Sequence, residues 1–439
     1  MTLKILDLFA GVGGLSLGFE MVRNSSGKKV FKLYRAVEID KFACQTLRKR
    51  YGNEKIIEGD ITKFDIANKV IKDCKRKVSI IVGGIPCQSF SLIGPRSGFG
   101  RKIEKFKRDK RDNLYEHFRD IVAEIKPKIL VIENVKGILS KKDSEGRKII
   151  DKLILDFESL GYNFDNKNVN KWQLLNAADY GIPQKRERVI LIGIKKSWKS
   201  CNVPEFKPTH FDFKQKNKTL QSLNNLYPYV SIYEATGDLP AVKPKITFTD
   251  IDDNEKNSIL KKNKLIKNGN DRTEHNIIKL KEHIKKIGNS GKEFFSFVRP
   301  NGYKYIDHHM ARSQQLSDIR LFKLMKQGET AKDFMERMPE KAKKLIKYNM
   351  LSFKDKYRKQ KANEPSTTVF AHLEKDGNRF IHPTQARTYT PREAARIQSF
   401  PDDFIFEGPI SKKFKQIGNA VPPLMSYNIA KQIYRIIKK

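Results

Sequence analysis

The chain has 439 residues, and its 38% hydrophobic and 10% aromatic content argues against wholesale disorder and allows two or three domains. Lysine and arginine total 88 against 50 aspartate and glutamate, and the net charge of +38 favours a polyanionic partner, with coding bias as the plain alternative. No stretch approaches the roughly 20 apolar residues of a membrane span, and no signal peptide is recognisable. The four cysteines form no C-x-x-C pair, so we expect a cytoplasmic protein without a disulfide framework or a metal.

The first 195 residues alternate short apolar strands with helices. Strands are predicted over 3–9, 34–40, 55–61, 78–84, 128–135 and 187–194, and helices over 15–22, 42–51, 115–125 and a stretch that ends near Lys72. Near-continuous apolar strands that alternate with helices are typical of a doubly wound, mostly parallel α/β sheet. Such a sheet binds ligands at the carboxyl ends of its strands.

The pattern changes after the first 197 residues, which form the first predicted domain. Lys-rich stretches without strand–helix alternation predict a second, irregular domain over 198–384. Order returns over 385–439, with a helix over 390–400 that Thr390 caps, a turn at 416–423 and an amphipathic closing helix. We expect this last segment to rejoin the first domain.

Polar residues at the ends of the first three strands outline a nucleoside site. The glycine loop from Gly11 to Gly14 would let a ligand approach the backbone at a helix N-terminus, although a plain tight turn is an equal alternative. Glu38 ends the second strand, where an acidic residue can take the hydroxyls of a ribose. Asp60 follows the third strand and could accept from an adenine amino group.

Cys87 follows an apolar strand in the loop Gly-Gly-Ile-Pro-Cys-Gln-Ser-Phe-Ser. The proline and glycines predict an exposed, fixed backbone, which favours a nucleophile over a small buried hydrophobe. We interpret the other three cysteines, Cys44, Cys74 and Cys201, as small buried hydrophobes.

Two further sets of polar residues lie at strand ends. Glu133 ends an apolar strand and is either a solvated tip or a partly buried acid. Gln184, Arg186 and Arg188 alternate before the last strand, so they share one predicted face. That face is either a solvated edge or a clamp for an anion or base.

In order and spacing, these motifs resemble the cytosine-C5 DNA methyltransferases. The resemblance rests on DLFAGVGGLSLGF, EID, GDI, GGIPCQSFS, ENV, AADYGIPQKRERVILIG, REAARIQSFPDDF and QIGNAVPP, and it covers roughly residues 1–195 and 365–439. It implies a Rossmann-like domain that binds S-adenosyl-L-methionine (SAM), a smaller target-recognition domain, and double-stranded DNA in the cleft between them.

The resemblance also implies a role for each matching residue. The residues that would bind SAM are Phe9, Ala10, Gly11, Gly13, Gly14, Glu38, Ile39, Asp60, Ile61, Pro86, Leu114, Asn419 and Ala420. The catalytic residues would be Cys87, Glu133, Arg186 and Arg188. The substrate-binding residues would be Gln88, Ser89, Ser91, Asn134 and Gln184. The segment from Ser89 to about Arg111 would be a mobile lid.

The implied chemistry explains why these residue types are needed. Attack by the Cys87 thiolate on C6 makes C5 of cytosine enamine-like, and C5 then takes the methyl group from SAM, leaving S-adenosyl-L-homocysteine. Glu133, protonated or sharing a proton with N3, would neutralise charge that develops on the ring, and Arg188 would stabilise the O2 side. The target base must be flipped out of the duplex, and methyltransferases are a standard example of that step.

The sequence therefore predicts a monomeric prokaryotic or phage DNA (cytosine-5-)-methyltransferase. It would modify the site of a restriction–modification system whose endonuclease another gene encodes. Two alternatives stay open: a tRNA cytosine-5 methyltransferase and a catalytically silent DNA-binding paralogue. The residues that read the target lie within 198–384 and cannot be identified from the sequence, and adjacent His308 and His309 are expected to be structural or DNA-facing.

Overall fold

The structure is a computed structural model that describes residues 2–86, 114–143, 145–165, 170–199, 203–212, 226–247, 271–300, 303–346 and 357–438. Its strands are β1 (Leu3–Leu8), β2 (Phe31–Glu38), β3 (Ile56–Glu58), β4 (Ile80–Gly84), β5 (Ile129–Val135), β6 (Tyr162–Asn163), β7 (Gln173–Asn176), β8 (Gln184–Lys185), β9 (Glu187–Lys195), β10 (His210–Phe211), β11 (Tyr227–Pro228), β12 (Ile246–Thr247), β13 (Arg272–Glu274), β14 (Tyr305–Asp307), β15 (Gln314–Gln315) and β16 (Ser366–Thr367). Its α-helices are α1 (Gly14–Met21), α2 (Lys41–Tyr51), α3 (Phe64–Cys74), α4 (Leu114–Ile125), α5 (Ile149–Ser159), α6 (Ile232–Thr236), α7 (Ile277–Lys286), α8 (Asn289–Val298), α9 (Leu316–Leu324), α10 (Ala331–Arg337), α11 (Pro339–Leu345), α12 (Pro391–Ile397), α13 (Ile410–Asn419) and α14 (Pro423–Lys438). Short 3-10 turns cover Asn53–Lys55, Lys136–Leu139, Ala177–Tyr180, Ala371–Glu374 and Asn378–Phe380.

One eight-stranded sheet organises the first half of the chain. Its strand order is β3-β2-β1-β4-β5-β9-β6, and β7 also pairs with β9. Strands β1 to β5 are parallel, whereas β9 runs antiparallel to β5, β6 and β7. The structure thus confirms the mostly parallel α/β sheet that the alternating apolar strands predicted.

Hydrophobic side chains cover both faces of this sheet, which is why its strands are apolar almost throughout. On one face, Val70, Phe118 and Phe157 bring α3, α4 and α5 against the strands. On the other face, α1 packs beside α14 through a cluster that includes Phe19 and Ile429. The closing helix of the chain is therefore part of the core that packs against this sheet.

The segment that precedes α14 lies directly against the glycine loop. A Cβ at Gly14 would lie 2.1 Å from the backbone oxygen of Val421, and one at Gly18 would lie 2.3 Å from that of Pro423. A further apolar cluster joins Val12 of the loop to Phe414 of α13. The close approach needs glycine at both positions, because any side chain would displace the backbone opposite.

The predicted turn at 416–423 is partly wrong. Residues 416–419 are the last turn of α13, and the non-helical link is confined to 420–422. Phe414 and Ile417 are fully buried on one face of this helix, so burial of an amphipathic face outweighed the Gly-Asn turn signal. The Thr390 cap is present, in a capping box with Glu393.

The region between β10 and α11 is built from short elements. Its strands form two-stranded pairs, and its apolar residues form two small clusters, one around Phe322 and Phe334 and the other around Phe294 and Phe295. His308 and His309 are both buried, and His308 Nε2 accepts a hydrogen bond from the Phe406 amide. Within the described ranges, no helix is long and apolar enough to span a bilayer.

Candidate active site

The strand register brings the predicted site residues to one edge of the sheet. Leu8 at the end of β1 lies beside Val37 of β2 and Gly83 of β4. Gly84, the last residue of β4, pairs with Glu133 of β5. The carboxyl ends of four parallel strands therefore meet where such sheets bind their ligands.

Glu38 is held rigidly at this edge by backbone donors. Its Oε2 accepts from the Gly11 amide at 2.7 Å, and its Oε1 accepts from the amides of Ile39 and Asp40 at 2.9 and 2.7 Å. Burial raises the pKa of Glu38, and these amide bonds oppose that rise. A carboxylate offers about four lone pairs, so acceptor capacity remains beyond the three amides.

The glycine loop leaves open space beside this carboxylate. Gly11 has a φ of 55°, and a Cβ placed there would meet nothing within 4 Å. Phe9, which precedes the loop, also has a positive φ, of 57°. The loop thus combines an unusual backbone conformation at Phe9 with open space at Gly11, just before α1 begins.

The other predicted cofactor residues near β2 and β3 have contrasting surroundings. The side chain of Ile39 is 64% exposed, although isoleucine is normally buried. Asp60 Oδ1 accepts from the Thr62 amide at 2.9 Å, which fixes that carboxylate in its turn. Ile61 and Leu114 instead pack in or against the core beneath the edge.

Asn419 and Ala420 lie where α13 ends beside the glycine loop. Asn419 is exposed, whereas Ala420 is buried. Lys415 of the same helix reaches Oδ2 of Asp40 at 2.8 Å, two residues after Glu38. The sequence analysis did not identify Lys415, because its neighbours in the sequence do not indicate a contact with Asp40, which is remote in the chain.

Glu133 and Arg188 form an ion pair at the same edge. Arg188 Nε lies 2.8 Å from Glu133 Oε1, and the two side chains are only 12% and 11% exposed. A Cβ on Gly84 would lie 3.2 Å from Glu133 Oε2, so this oxygen faces the chain that leads to Pro86. Burial lowers the pKa of Arg188, and the charge of Glu133 opposes that effect.

Asn134 connects this ion pair to the next loop. Its side chain is 2% exposed, and its Nδ2 donates to the Ile85 carbonyl at 3.4 Å. Pro86 follows and is half-buried. Other predicted site residues lie outside the described residues, namely Cys87, Gln88, Ser89 and Ser91, together with the segment predicted as a lid.

Arg186, predicted as a catalytic residue, lies buried between distant chain segments. It is 2% exposed, and its guanidinium donates to the carbonyls of Val369, Gly418 and Ala420 at 2.6, 3.4 and 3.1 Å. Burial lowers its pKa, and the nearby charge of Arg188 adds to that effect. The guanidinium therefore holds carbonyl groups of the returning chain.

Gln184, predicted to bind substrate, also lies between distant chain segments. It is fully buried, its Oε1 accepts from the Val369 amide at 2.7 Å, and its Nε2 donates to Gln398 Oε1 at 2.9 Å. The predicted common face of Gln184, Arg186 and Arg188 therefore divides, because the returning chain covers the first two residues. Of the three, Arg188 is the residue that forms an ion pair with Glu133.

Asp7 is a second residue that sequence reasoning missed. It lies within β1, is 1% exposed and sits beside Ser16 at the start of α1. Burial raises its pKa to about 7. The sequence feature that could have identified Asp7 is a carboxylate between apolar residues in the strand LKILDL. Among the described residues, no three His, Cys, Asp or Glu side chains come together as a metal site.

Comparison with known proteins agrees with this geometry. A profile of the family described as C-5 cytosine-specific DNA methylase matches residues 3–435. The type II methyltransferase M.NgoFVII of Neisseria gonorrhoeae is 32% identical over 99% of this chain and 87% of its own length. The type II methyltransferase M.DdeI of Desulfomicrobium norvegicum is 30% identical, over 98% of this chain and 88% of its own.

Solved structures show the same fold. A prophage-encoded DNA modification methyltransferase of Escherichia coli aligns over 100% of both chains with a TM-score of 0.61 and 24% identity. The Entamoeba histolytica methyltransferase EhMeth aligns over 100% of both chains with a TM-score of 0.52 and 13% identity. Because the family profile spans nearly the whole sequence, the chain belongs to the family of C-5 cytosine-specific DNA methylases.

Proposed function

We propose that this chain is the modification methyltransferase of a type II restriction–modification system. It transfers a methyl group from SAM to C5 of a cytosine that is flipped out of a specific short duplex sequence. The observation that carries this proposal is the Glu133–Arg188 ion pair, held at the strand edge beside Gly84, where the chain leads into the Pro86–Cys87 loop. The type II relatives, each similar over nearly the whole chain, support the restriction–modification setting.

The residues at the carboxyl edge fit SAM. Glu38 offers a fixed carboxylate to the ribose hydroxyls, and the exposed side chain of Ile39 offers an apolar surface to the adenine ring. The open space at Gly11 suits the methionine part, at the N-terminus of α1. When bound, SAM supplies an electrophilic methyl group on a sulfonium.

Glu133 and Arg188 would hold the cytosine and neutralise its developing charge. Arg188 fixes Glu133 through one oxygen, which leaves Oε2 directed toward the Gly84 side, where a base could meet it at N3 and N4. The Arg188 guanidinium carries further N–H groups that could donate to O2. Because both side chains are largely buried, these interactions act where water is mostly excluded.

Cys87 is the proposed nucleophile. Its thiolate forms a bond to C6, which breaks the aromaticity of the ring and makes C5 nucleophilic enough to take the methyl group. Water then removes the proton from C5, and the electron pair of that C–H bond expels the thiolate. A free thiol has a pKa near 8.5, so a neighbouring cation or helix N-terminus must favour the thiolate.

In this proposal, three segments of the chain have different roles. Residues 1–197 carry the catalytic site, residues 198–384 read the target sequence, and residues 385–439 return to close the cofactor side. The net charge of +38 suits a duplex bound by one chain as a monomer. The cognate endonuclease would be encoded separately, and the enzyme would act in the cytoplasm.

Expression in a host without cytosine methylation tests the proposal. We would express the wild type and Cys87→Ser, then sequence the genome after cytosine conversion. Protected cytosines at one recurring short motif, with the wild type alone, are the expected result and would also reveal the recognition sequence. No protected motif from a soluble, SAM-binding protein would contradict the proposal, and labelled methyl transfer to total RNA would then separate a tRNA enzyme from a silent DNA binder.

A further inference from the structure

Lys415 of α13 joins the returning chain to the end of the strand that carries Glu38. Its Nζ lies 2.8 Å from Oδ2 of Asp40, and the two side chains are 36% and 27% exposed. An ion pair at this exposure adds little to the stability of a fold. What the pair fixes in its surroundings therefore matters more than its own energy.

Asp40 connects Lys415 to Glu38 through its backbone. The Asp40 amide donates to Glu38 Oε1 at 2.7 Å, so the conformation of residue 40 helps to place that carboxylate. The Asp40 side chain caps α2, and its Oδ1 accepts from the amides of Phe42 and Ala43 at 3.0 and 3.2 Å. Since Lys415 holds the other oxygen, the residue whose amide binds Glu38 is itself held from two sides.

The helix that carries Lys415 is fixed against α2. Gln416 is buried, its Oε1 accepts from the Thr46 hydroxyl at 2.7 Å, and its Nε2 donates to the Glu407 carbonyl at 2.8 Å. The Thr46 hydroxyl in turn accepts from the Glu407 amide at 2.8 Å. Because this network places the backbone of α13, Lys415 has only its own side chain to order when it binds Asp40.

The charge of Lys415 has a second effect on Glu38. Burial raises the pKa of Glu38, and the negative charge of Asp40 adds to that rise. Burial would also raise the pKa of Asp40, but the hydrogen bond and charge of Lys415, together with two backbone amides, lower it below its usual value. The ammonium thus offsets the repulsion between two neighbouring carboxylates, which favours an ionised Glu38 that can accept hydrogen bonds.

We propose that Lys415 is a positioning residue for the cofactor: it holds Asp40, and through Asp40 it keeps Glu38 placed to accept from the ribose hydroxyls of SAM. This inference rests on the proposed function, which assigns the ribose to Glu38. In this role Lys415 acts on the cofactor site through another residue. A change at residue 415 should therefore alter the affinity for SAM and leave the methyl-transfer step itself unaltered.

Direct binding of SAM to the full chain, without DNA, tests this role. We would measure the Kd of SAM by isothermal titration calorimetry for the wild type, Lys415→Gln and Lys415→Arg. Lys415→Gln should raise the Kd about three- to tenfold, as expected for coupling within one hydrogen-bond network, whereas Lys415→Arg restores the charge and should stay within about twofold. At saturating SAM, the single-turnover rate of Lys415→Gln on the motif-bearing duplex should match the wild-type rate.

Lys49→Gln is the matched control. Lys49 also joins α2 to the returning chain, because its Nζ lies 2.6 Å from Glu407 Oε1, but it lies near the end of α2 that is remote from Asp40. Its removal should leave the Kd of SAM unchanged. An equal rise in Kd for both lysine variants would show that Lys415 merely fastens α13 to α2, and would overturn the inference.

Asp40→Asn shows whether Lys415 acts through Asp40. Asparagine keeps the backbone amide and can cap α2, but it removes the charge that Lys415 binds. In the Asp40→Asn background, Lys415→Gln should change the Kd of SAM by less than about twofold. The same loss of affinity in both backgrounds would mean that Lys415 does not act through Asp40, and would contradict the proposal.

Failure of the inference and failure of the proposed function can be distinguished. Lys415→Gln with the wild-type Kd for SAM would overturn the inference, whatever the chain methylates. If instead the Kd values follow the predicted pattern but the wild type methylates no cytosine, the positioning role holds and the proposed function fails.

Discussion

Arg186 and Arg188 are close neighbours on one edge of the sheet, yet their partners differ. Arg186 binds three backbone carbonyls of the returning chain and is buried, whereas Arg188 pairs with Glu133 and keeps part of its surface open. The difference comes from the partners of each residue, since the carbonyls of Val369, Gly418 and Ala420 accept from Arg186. One short motif thus serves assembly at one position and, in our proposal, chemistry at the next.

The largest expected effect belongs to Glu133→Gln. The amide cannot share a proton with N3 as the carboxyl group does, so we expect kcat to fall about 10²- to 10⁴-fold, the usual contribution of a positioned acid or base. The rate is measured at a temperature where the variant is folded, because the change leaves the buried Arg188 guanidinium without its charged partner. Single-turnover methyl transfer to the motif-bearing duplex measures the rate, and the Kd of SAM serves as the control. A variant with wild-type kcat would contradict the role of Glu133.

Asp7→Asn tests how ionisation of a buried carboxyl group in β1 changes the free energy of unfolding. The folded state holds its proton up to about pH 7, whereas the unfolded chain releases it near 3.8, so ionisation makes the wild type less stable as pH rises through this window. Between pH 5 and pH 8 the free energy of unfolding of the wild type should fall by about 3 kcal/mol relative to that of the variant. Urea unfolding at both pH values measures it.

Asp65→Asn is the matched control for Asp7, because Asp65 is exposed in the first turn of α3. Its stability relative to the wild type should change much less between the two pH values. If Asp7→Asn and Asp65→Asn behave alike, Asp7 is not a buried acid with a raised pKa.

Arg186→Gln tests whether the contacts of Arg186 with backbone carbonyls stabilise the fold. The shorter amide cannot reach all three carbonyls, so we expect a loss of about 2–4 kcal/mol in the free energy of unfolding. At a temperature where the variant is still folded, its single-turnover rate should stay within about tenfold of the wild-type rate. Removal of a hydrogen-bond donor to the transition state would instead lower the rate by about 10²- to 10³-fold. A large loss of rate with unchanged stability would return Arg186 to the catalytic group.

Gln184→Leu should have the smallest of these effects. The side chain is similar in size, but the Val369 amide and the Gln398 side chain lose their partner, at a cost of about 1–3 kcal/mol. Chemical denaturation measures the loss, and the Kd of the duplex should be unchanged. Weakened DNA binding without loss of stability would show that Gln184 contacts the substrate.

Local patterns predicted strands β1 to β5 and β9 and helices α1 to α4, because apolar periodicity is a property of neighbouring residues. They did not predict β6, β7 or α5. They predicted that Gln184, Arg186 and Arg188 alternate, but alternation cannot show which segment covers a face. The covering residues, Val369 and Ala420, come from parts of the chain that are remote in sequence. For the same reason the tie between Lys415 and Asp40 could not be predicted.

The short elements between β10 and α11 show a second limit of prediction from the sequence. Their strands have two or three residues, too few for a period to be recognised, and their order depends on tertiary contacts. One such contact is a buried ion pair of Asp238 with Arg396 of α12. The sequence analysis could therefore outline an irregular domain but could not identify its base-reading residues.

The most direct test of the account compares Arg188→Gln with Arg186→Gln in single-turnover methyl transfer, at a temperature where both variants are folded. We predict that folded Arg188→Gln loses at least about 10²-fold in rate, whereas folded Arg186→Gln stays within about tenfold of the wild-type rate. The reverse pattern, with Arg186→Gln slow and stable and Arg188→Gln active, would contradict the division of this edge into a reacting pair and a brace.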